Sequence, residues 1–108
     1  MRYTLSVVLS IFFTLLLSGC SDDSAPQTTS IDGEELYSLN CARCHKKDGS
    51  GDFLKGIPAN RRTALQEKQV ILLIRQGDPS RPEMPTFSNL TEQQASAIVD
   101  YLFSLKVR

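Results

Sequence analysis

Residues 41 to 45 read Cys41-Ala42-Arg43-Cys44-His45 and bring two thiols next to the only histidine of a 108-residue chain. Two cysteines three positions apart at a helix end can each add across one vinyl group of a haem, and the imidazole that follows can then ligate the iron. The Cys-x-x-Cys-His spacing is the attachment signature of c-type haem. The motif therefore predicts one covalent haem c, attached through Cys41 and Cys44 and ligated by His45.

The first 19 residues are predicted to be an export signal. Arg2 supplies a positive charge, and residues 5 to 17 form an uncharged, largely apolar run that is short for a membrane span. Leu17-Ser18-Gly19-Cys20 resembles the lipobox of bacterial lipoproteins, in which the signal is cut before the cysteine. The resemblance implies a lipoprotein signal peptide over 1–19 and a lipid on Cys20, which would anchor the protein in the periplasm or on another extracytoplasmic face of a bacterial membrane. An ordinary signal peptide with a chance cysteine and an uncleaved anchor are the alternatives.

The rest of the chain divides into a tether and one small domain. Residues 21 to 30 are polar and show no apolar periodicity, which predicts a flexible tether over 20–30. Residues 31–108 then form the domain. Twelve acidic residues balance 12 basic ones, so the formal net charge is zero. This balance argues against nucleic-acid binding, which requires a basic face, and we expect a monomer.

Other uses of the two cysteines require partners that the sequence lacks. A structural zinc site needs four ligands and an iron–sulfur cluster usually needs four cysteines, whereas His45 is the one histidine and Cys20 is assigned to the lipid. A thioredoxin-like pair needs a strand–helix–strand context, which is not predicted. A plain disulfide between Cys41 and Cys44 would leave His45 without a role.

One helix is predicted before the motif and a second helix after it. Asp32 is a suitable N-cap for a helix over 33–40 that leads into the cysteines. Residues 46 to 60 contain three glycines and a proline and are predicted to be a loop. A second helix is predicted over 63–76, with Gly77 at its C-terminus. Its apolar positions recur at helical spacing and are Leu65, Val70, Ile71, Leu73 and Ile74.

The last helix begins at Thr91 and follows a proline-rich loop over 78–90. Thr91 and Gln94 form a capping-box pattern. The buried stripe of this helix is predicted to be Ala95, Ile98, Val99, Leu102 and Leu105. Because no segment alternates as a strand would, the predicted fold class is all-α.

The second axial ligand of the iron is predicted from the methionines. Methionine is the other common axial ligand of electron-transferring cytochromes, and His45 can fill only one position. Met1 leaves with the predicted signal, which leaves Met84. It lies in the segment Arg81-Pro82-Glu83-Met84-Pro85, where flanking prolines reduce the entropy lost on presenting a side chain to a metal. The alternative is that Met84 only packs in the core.

With these residues, the chain from about 33 to 106 resembles the class I c-type cytochromes, small proteins that carry one haem. The glycine and the aromatic that precede the motif in that family match Gly33 and Tyr37, and their partners in the last helix match Ile98 and Tyr101. In the family the first and last helices cross closely there, because a glycine lets two backbones approach and aromatics seal the gap. The resemblance implies three to four helices wrapped around one haem.

The resemblance also assigns the surroundings of the haem. A loop proline in the family offers its carbonyl to the ligating histidine, and Pro58 matches it; such a bond would fix the orientation and basicity of the imidazole. The chain has no tryptophan, which some members place near a haem propionate. Asn60, Arg61 or Arg62 could replace it as propionate donors, or the two arginines belong to a solvated helix start.

The expected function is the transfer of single electrons between redox partners, respiratory or other, and not catalysis on a substrate. Two filled axial positions leave no iron site for oxygen or peroxide. A group of cations near the motif could dock an acidic donor or acceptor, or be solvated surface: Arg43, Lys46, Lys47 and Lys55. Two alternatives stay open, a haem-based ligand sensor or weak peroxidase with a displaceable Met84, and a fixed haem subunit of a larger membrane-bound redox complex.

Overall fold

The computed structural model describes residues 28–107, so the predicted signal segment, Cys20 and most of the predicted tether lie outside the described residues. The described part folds into four α-helices and three short 3-10 helices. The α-helices are α1 Gly33–Asn40, α2 Ala42–His45, α3 Glu67–Gln76 and α4 Glu92–Ser104, and the 3-10 helices are Phe53–Lys55, Asn60–Arg62 and Leu105–Val107. Over residues 28–107 the only β-pairing is an isolated bridge between Asp52 and Ile57. The prediction of a small all-α fold is confirmed.

Helix α1 is fixed at its start by a side chain and along its length by α4. The Asp32 carboxylate accepts a hydrogen bond from the Glu35 amide at 3.0 Å, as predicted for an N-cap. Where α1 crosses α4, a Cβ on Gly33 would collide with the Ala97 carbonyl group. The absence of a side chain at Gly33 therefore sets how closely the two helices approach.

One helical turn further along, two aromatic rings fill the same crossing. The rings of Tyr37 and Tyr101 have centroids 5.4 Å apart and are tilted by 53°, which is within the favourable range for aromatic pairs. Tyr37 is buried and Tyr101 half-buried. The glycine and aromatics that the resemblance assigned to this crossing are present in it.

Helix α3 begins later than the sequence suggests. It runs over Glu67–Gln76, whereas the apolar spacing predicts a start at 63. The Thr63 hydroxyl accepts a hydrogen bond from the Leu65 amide at 3.2 Å, a local turn that competes with helix formation. The Gln69 side chain then accepts from the Gln66 amide at 2.8 Å and satisfies a free donor at the true start. The predicted end is confirmed, because Gly77 caps the helix with a φ of +76°.

Helix α4 is the central element, against which both α1 and α3 pack. Thr91 and Gln94 exchange the two hydrogen bonds of a capping box, at 3.0 and 3.1 Å. The predicted buried stripe is confirmed. The buried core of the described residues combines that stripe with side chains of the other helices and is made of Leu36, Tyr37, Val70, Ile74, Leu90, Ala95, Ile98, Val99, Leu102 and Leu105.

The buried Gln94 side chain has a second role that the sequence did not indicate. Its amide nitrogen donates to the carbonyl oxygens of Thr28 and Ser30, at 2.9 and 3.0 Å. The last residues of the predicted tether are therefore held against the start of α4. Among the helices over residues 28–107, none is long and apolar enough to cross a membrane.

Candidate haem site

The Cys-x-x-Cys-His motif spans the junction of α1 and α2 and all of α2. Cys41 ends α1 and begins α2, and its carbonyl oxygen accepts from the His45 amide at 2.9 Å. Lys46 follows with a φ of 64°, which terminates α2 after a single turn. This short turn, and not a long helix, sets the relative positions of the two cysteines and the histidine.

The His45 imidazole is held by the loop that follows it. Nδ1 lies 3.0 Å from the Pro58 carbonyl oxygen. Because a carbonyl oxygen can only accept, this contact requires the proton on Nδ1. The Nε2 atom then carries the free electron pair. A neutral imidazole in this tautomer can ligate a metal through Nε2.

The Pro58 carbonyl is held in place by a compact hairpin-like loop. Asp52 and Ile57 exchange two backbone hydrogen bonds of 2.9 Å. Gly51 has a φ of +70°, and a Cβ there would lie 2.5 Å from the carbonyl oxygens of Ile57 and Pro58. A side chain at Gly51 would therefore displace the carbonyl that orients His45, a requirement that sequence reasoning missed although the glycine is visible in the sequence.

His45 and Met84 lie on the wall of one cavity of about 280 Å³. Cys41 and Pro58 also border it, so the structure brings together four of the five predicted haem-site residues. Most of the remaining wall is apolar and is contributed by α3, α4 and the segment before α3: Leu65, Val70, Leu73, Ile74, Ile98 and Leu102. Such a wall buries the faces of a macrocycle and excludes water from it.

The two cysteines have different surroundings. Cys41 is half-buried and borders the cavity, and burial raises the pKa of its thiol to about 12. Cys44 is exposed and is absent from the cavity wall. The Cys44 side chain is therefore the one predicted site residue that the structure does not place at the cavity.

Met84 is presented by a loop over residues 77–87, called the Met84 loop below. The Phe87 amide donates to the Ile74 carbonyl at 2.8 Å, and the Met84 amide donates to the Arg81 carbonyl at 3.1 Å. After the loop, Arg75 Nε donates to the Leu90 carbonyl at 3.1 Å. Ile74 and Arg75 of α3 thus hold the chain at the end of the Met84 loop and just after it.

The wall also carries polar side chains, among them Asn60, Arg62 and Arg81. Arg61 is not among them; its guanidinium lies 3.5 Å from the Asp48 carboxylate. Of the three propionate candidates from the sequence, the structure therefore places Asn60 and Arg62 at the cavity. Arg81 was missed as a wall residue, because its contact depends on the path of the Met84 loop.

Asn60 is also part of a polar junction at the cavity wall. The Tyr37 hydroxyl lies 3.1 Å from the Asn60 side-chain oxygen and 3.1 Å from the Lys46 carbonyl oxygen. Burial raises the pKa of Tyr37 to about 12. The neutral hydroxyl therefore joins α1 to the residue after His45 and to the Asn60–Arg62 turn.

The residues present fit a haem. An imidazole with its Nε2 lone pair free, a thioether, a half-buried thiol and apolar walls border one cavity, and two guanidinium groups can meet carboxylates at its edge. An all-α domain with this site and one Cys-x-x-Cys-His motif is a c-type cytochrome domain. The chain belongs to the family described as cytochrome C oxidase, cbb3-type, subunit III, whose model matches residues 29–102. No curated protein and no solved structure matches the chain.

Proposed function

We propose that this c-type cytochrome is an exported, lipid-anchored carrier of single electrons with one six-coordinate haem. The observation that carries the proposal is that His45 and Met84 border the same apolar cavity while the Pro58 carbonyl fixes the His45 tautomer. Cys41 and Cys44 are the attachment residues, and Cys20 is the lipid-bearing residue. His45 and Met84 are the two axial ligands.

Bound haem supplies a one-electron iron couple. The chain's own residues set how that couple behaves. A thioether from Met84 favours the reduced form, and an apolar wall that excludes water acts in the same direction. The hydrogen bond from His45 Nδ1 to Pro58 makes the imidazole more basic and opposes them. The chain thus sets the reduction potential through the Met84 thioether, the apolar wall and the hydrogen bond from His45 to Pro58.

The proposed docking surface is the group of cations around the attachment motif. Arg43, Lys46, Lys47 and Lys55 are all exposed. Lys55 lies 3.7 Å from the Asp52 carboxylate, so its charge is partly compensated. An acidic donor or acceptor would be attracted by Arg43, Lys46 and Lys47, and the rate of electron exchange should fall as salt is added. A rate that does not respond to ionic strength would exclude electrostatic docking.

A second candidate function is favoured by the family match. The matched family is described as a subunit of a cytochrome c oxidase, so the protein would be a fixed haem subunit that passes electrons within a larger complex. Purification from mild detergent distinguishes the two. A carrier separates from other redox proteins, whereas a fixed subunit stays with an oxidase through several columns.

Carbon monoxide tests the proposed ligation and with it the function. If Met84 fills the sixth position, the reduced wild-type protein should bind carbon monoxide slowly and the Met84→Ala variant should bind it rapidly. Met84→Ala is the reference for an open site. Wild-type binding as fast as that of the variant would contradict electron carriage by a six-coordinate haem and would support the sensor or peroxidase alternative.

A further inference from the structure

The Met84 loop closes on itself at its base. The Gly77 backbone lies so near Thr86 that a Cβ on Gly77 would be 2.8 Å from the Thr86 hydroxyl oxygen. Next to this contact, the Phe87 amide donates to the Ile74 carbonyl at 2.8 Å. The two ends of the loop are therefore fixed together, and the position of Met84 depends on what orders the residues between them.

Asp78 orders the first half of that loop. One carboxylate oxygen accepts from the Ser80 amide at 2.9 Å and from the Ser80 hydroxyl at 2.7 Å. The other accepts from the Arg81 guanidinium at 2.8 Å. The Asp78 backbone carbonyl also accepts from the Arg81 amide at 2.8 Å. One residue thus holds both the backbone and the side chain of the turn over 78–81.

This turn leads directly to the predicted ligand. The Arg81 carbonyl accepts from the Met84 amide at 3.1 Å. The last residue of the turn that Asp78 closes is therefore the first residue of the turn that ends at Met84. The Arg81 side chain borders the same cavity as Met84. A loosened 78–81 turn would therefore move the backbone that carries the methionine and a side chain beside it.

We propose that Asp78 is the positioning residue of Met84: its carboxylate preorganises the loop so that the methionine sulfur is presented to the iron in the folded protein. The inference rests on the proposed ligation by Met84 and goes beyond it, because it names the residue that keeps the sulfur in place. The hydrogen bonds from Ser80 also lower the pKa of Asp78, so the carboxylate is ionised at neutral pH.

The physical consequence concerns how often the loop opens. An external ligand reaches the iron only in the fraction of molecules whose Met84 has moved away, so its apparent affinity is proportional to that fraction. Loss of the Asp78 acceptors removes the side-chain bonds that hold the 78–81 turn in the closed loop. We expect the open fraction, and the apparent affinity for a competing ligand, to rise about three- to tenfold.

Imidazole binding to the oxidised holoprotein measures this fraction, with wild type and Met84→Ala as the two limits. Asp78→Ala should bind imidazole about three- to tenfold more tightly than wild type. Asp78→Asn keeps an oxygen that can accept from Ser80 and loses the charge beside Arg81. Its affinity for imidazole should therefore lie between those of wild type and Asp78→Ala.

The chain offers a matched control in the other loop of the site. The Asp48 carboxylate accepts from the Ser50 amide at 3.1 Å and lies 3.5 Å from Arg61, an arrangement similar to that of Asp78 but on the His45 side. Asp48→Ala should bind imidazole as wild type does. If Asp48→Ala and Asp78→Ala raise the affinity equally, the effect is a general loss of stability and the proposal is wrong.

A second readout separates positioning from simple destabilisation. In denaturant, Asp78→Ala should lose the spectroscopic signature of sulfur–iron ligation before it loses helical circular dichroism, whereas the two signals should change together in Asp48→Ala. Asp78→Ala and Asp78→Asn proteins that both retain wild-type imidazole affinity would overturn the role of Asp78. A wild type that binds imidazole as readily as Met84→Ala would instead overturn the proposed ligation by Met84.

Discussion

The imidazole of His45 is tied to the backbone of Pro58 by a contact of 3.0 Å between Nδ1 and the carbonyl oxygen. The two residues lie on opposite sides of a glycine-containing loop, and that loop is shaped so that the carbonyl points at the ring. The orientation of the imidazole is therefore a property of the loop as much as of the motif that contains His45.

Gly51→Ala should disturb this relationship. The substitution places a side chain at a φ of +70° and 2.5 Å from the Pro58 carbonyl oxygen. We expect a loss of about 1–3 kcal/mol in the free energy of unfolding. We also expect a higher midpoint potential, because an imidazole that loses its hydrogen bond becomes less basic and stabilises oxidised iron less well.

Gly56→Ala is the matched control for that experiment. Gly56 has the same φ of +70°, and a Cβ there would meet nothing within 4 Å. Chemical denaturation should show destabilisation in both variants, but redox titration should show a shifted potential only in Gly51→Ala. Equal potentials in the two variants would mean that the Pro58 carbonyl does not tune the iron.

Gly33→Ala should open the crossing of α1 and α4. The added methyl group would collide with the Ala97 carbonyl, and two packed backbones cannot both retain their positions. We expect a loss of about 1–3 kcal/mol. Glu34→Ala is the control, since it alters an exposed residue in the same first turn. Urea denaturation that gives equal midpoints for both variants would show that the close approach is not required.

Tyr37→Phe should weaken the polar junction at the cavity wall. At neutral pH the variant loses the hydroxyl that meets Lys46 and Asn60, at a cost of about 1 kcal/mol. Burial raises the pKa of Tyr37 from 10.0 to about 12 in the folded protein. The folded state therefore holds this proton more tightly than the unfolded state, and the stability gained is complete below pH 10 and declines as the pH rises toward 12.

The difference between wild type and Tyr37→Phe, measured as unfolding free energy against pH, should thus shrink over that alkaline range. Tyr101→Phe provides the comparison, because it keeps the tilted ring that packs on Tyr37 and leaves the Tyr37 hydroxyl in place. A wild-type advantage that stays constant from neutral pH to pH 12 would refute the assignment of a buried, neutral Tyr37 hydroxyl.

Gln94→Ala should lower the free energy of unfolding by more than the loss of a helix cap alone. The variant loses the return bond to the Thr91 amide and both bonds to the carbonyls of Thr28 and Ser30. We expect a loss of about 2 kcal/mol and faster hydrogen exchange at residues 30 to 32. The neighbouring Gln93 is exposed, so Gln93→Ala should change neither measurement.

Local chemistry in the sequence predicted the helix ends where a side chain bonds a nearby backbone group. Asp32 before α1 and the Thr91–Gln94 pair of α4 are such cases. The start of α3 was predicted four positions too early, because glutamine is an unusual cap and the Thr63 hydroxyl closes a local turn that competes with the helix.

The site was predictable to the extent that single residues decide it. His45 is the only histidine, and the motif around it specifies its chemistry. The contributions of Gly51, Arg81 and Gln94 depend on the path that the loops take in the folded chain, and no local sequence pattern predicts that path.

The methyl resonance of Met84 in the holoprotein reports directly on whether its sulfur ligates the iron. The sequence has two methionines, and Met1 leaves with the predicted signal, so a ¹³C label on the methionine methyl group reports on Met84 in the processed holoprotein. Met84→Leu assigns its resonance. In the reduced protein, a methyl group bound through sulfur to the iron lies over the macrocycle, and its resonance should be displaced far from that of ordinary methionine. A Met84 methyl resonance at the ordinary position in the reduced holoprotein would show that His45 and Met84 do not together hold the iron.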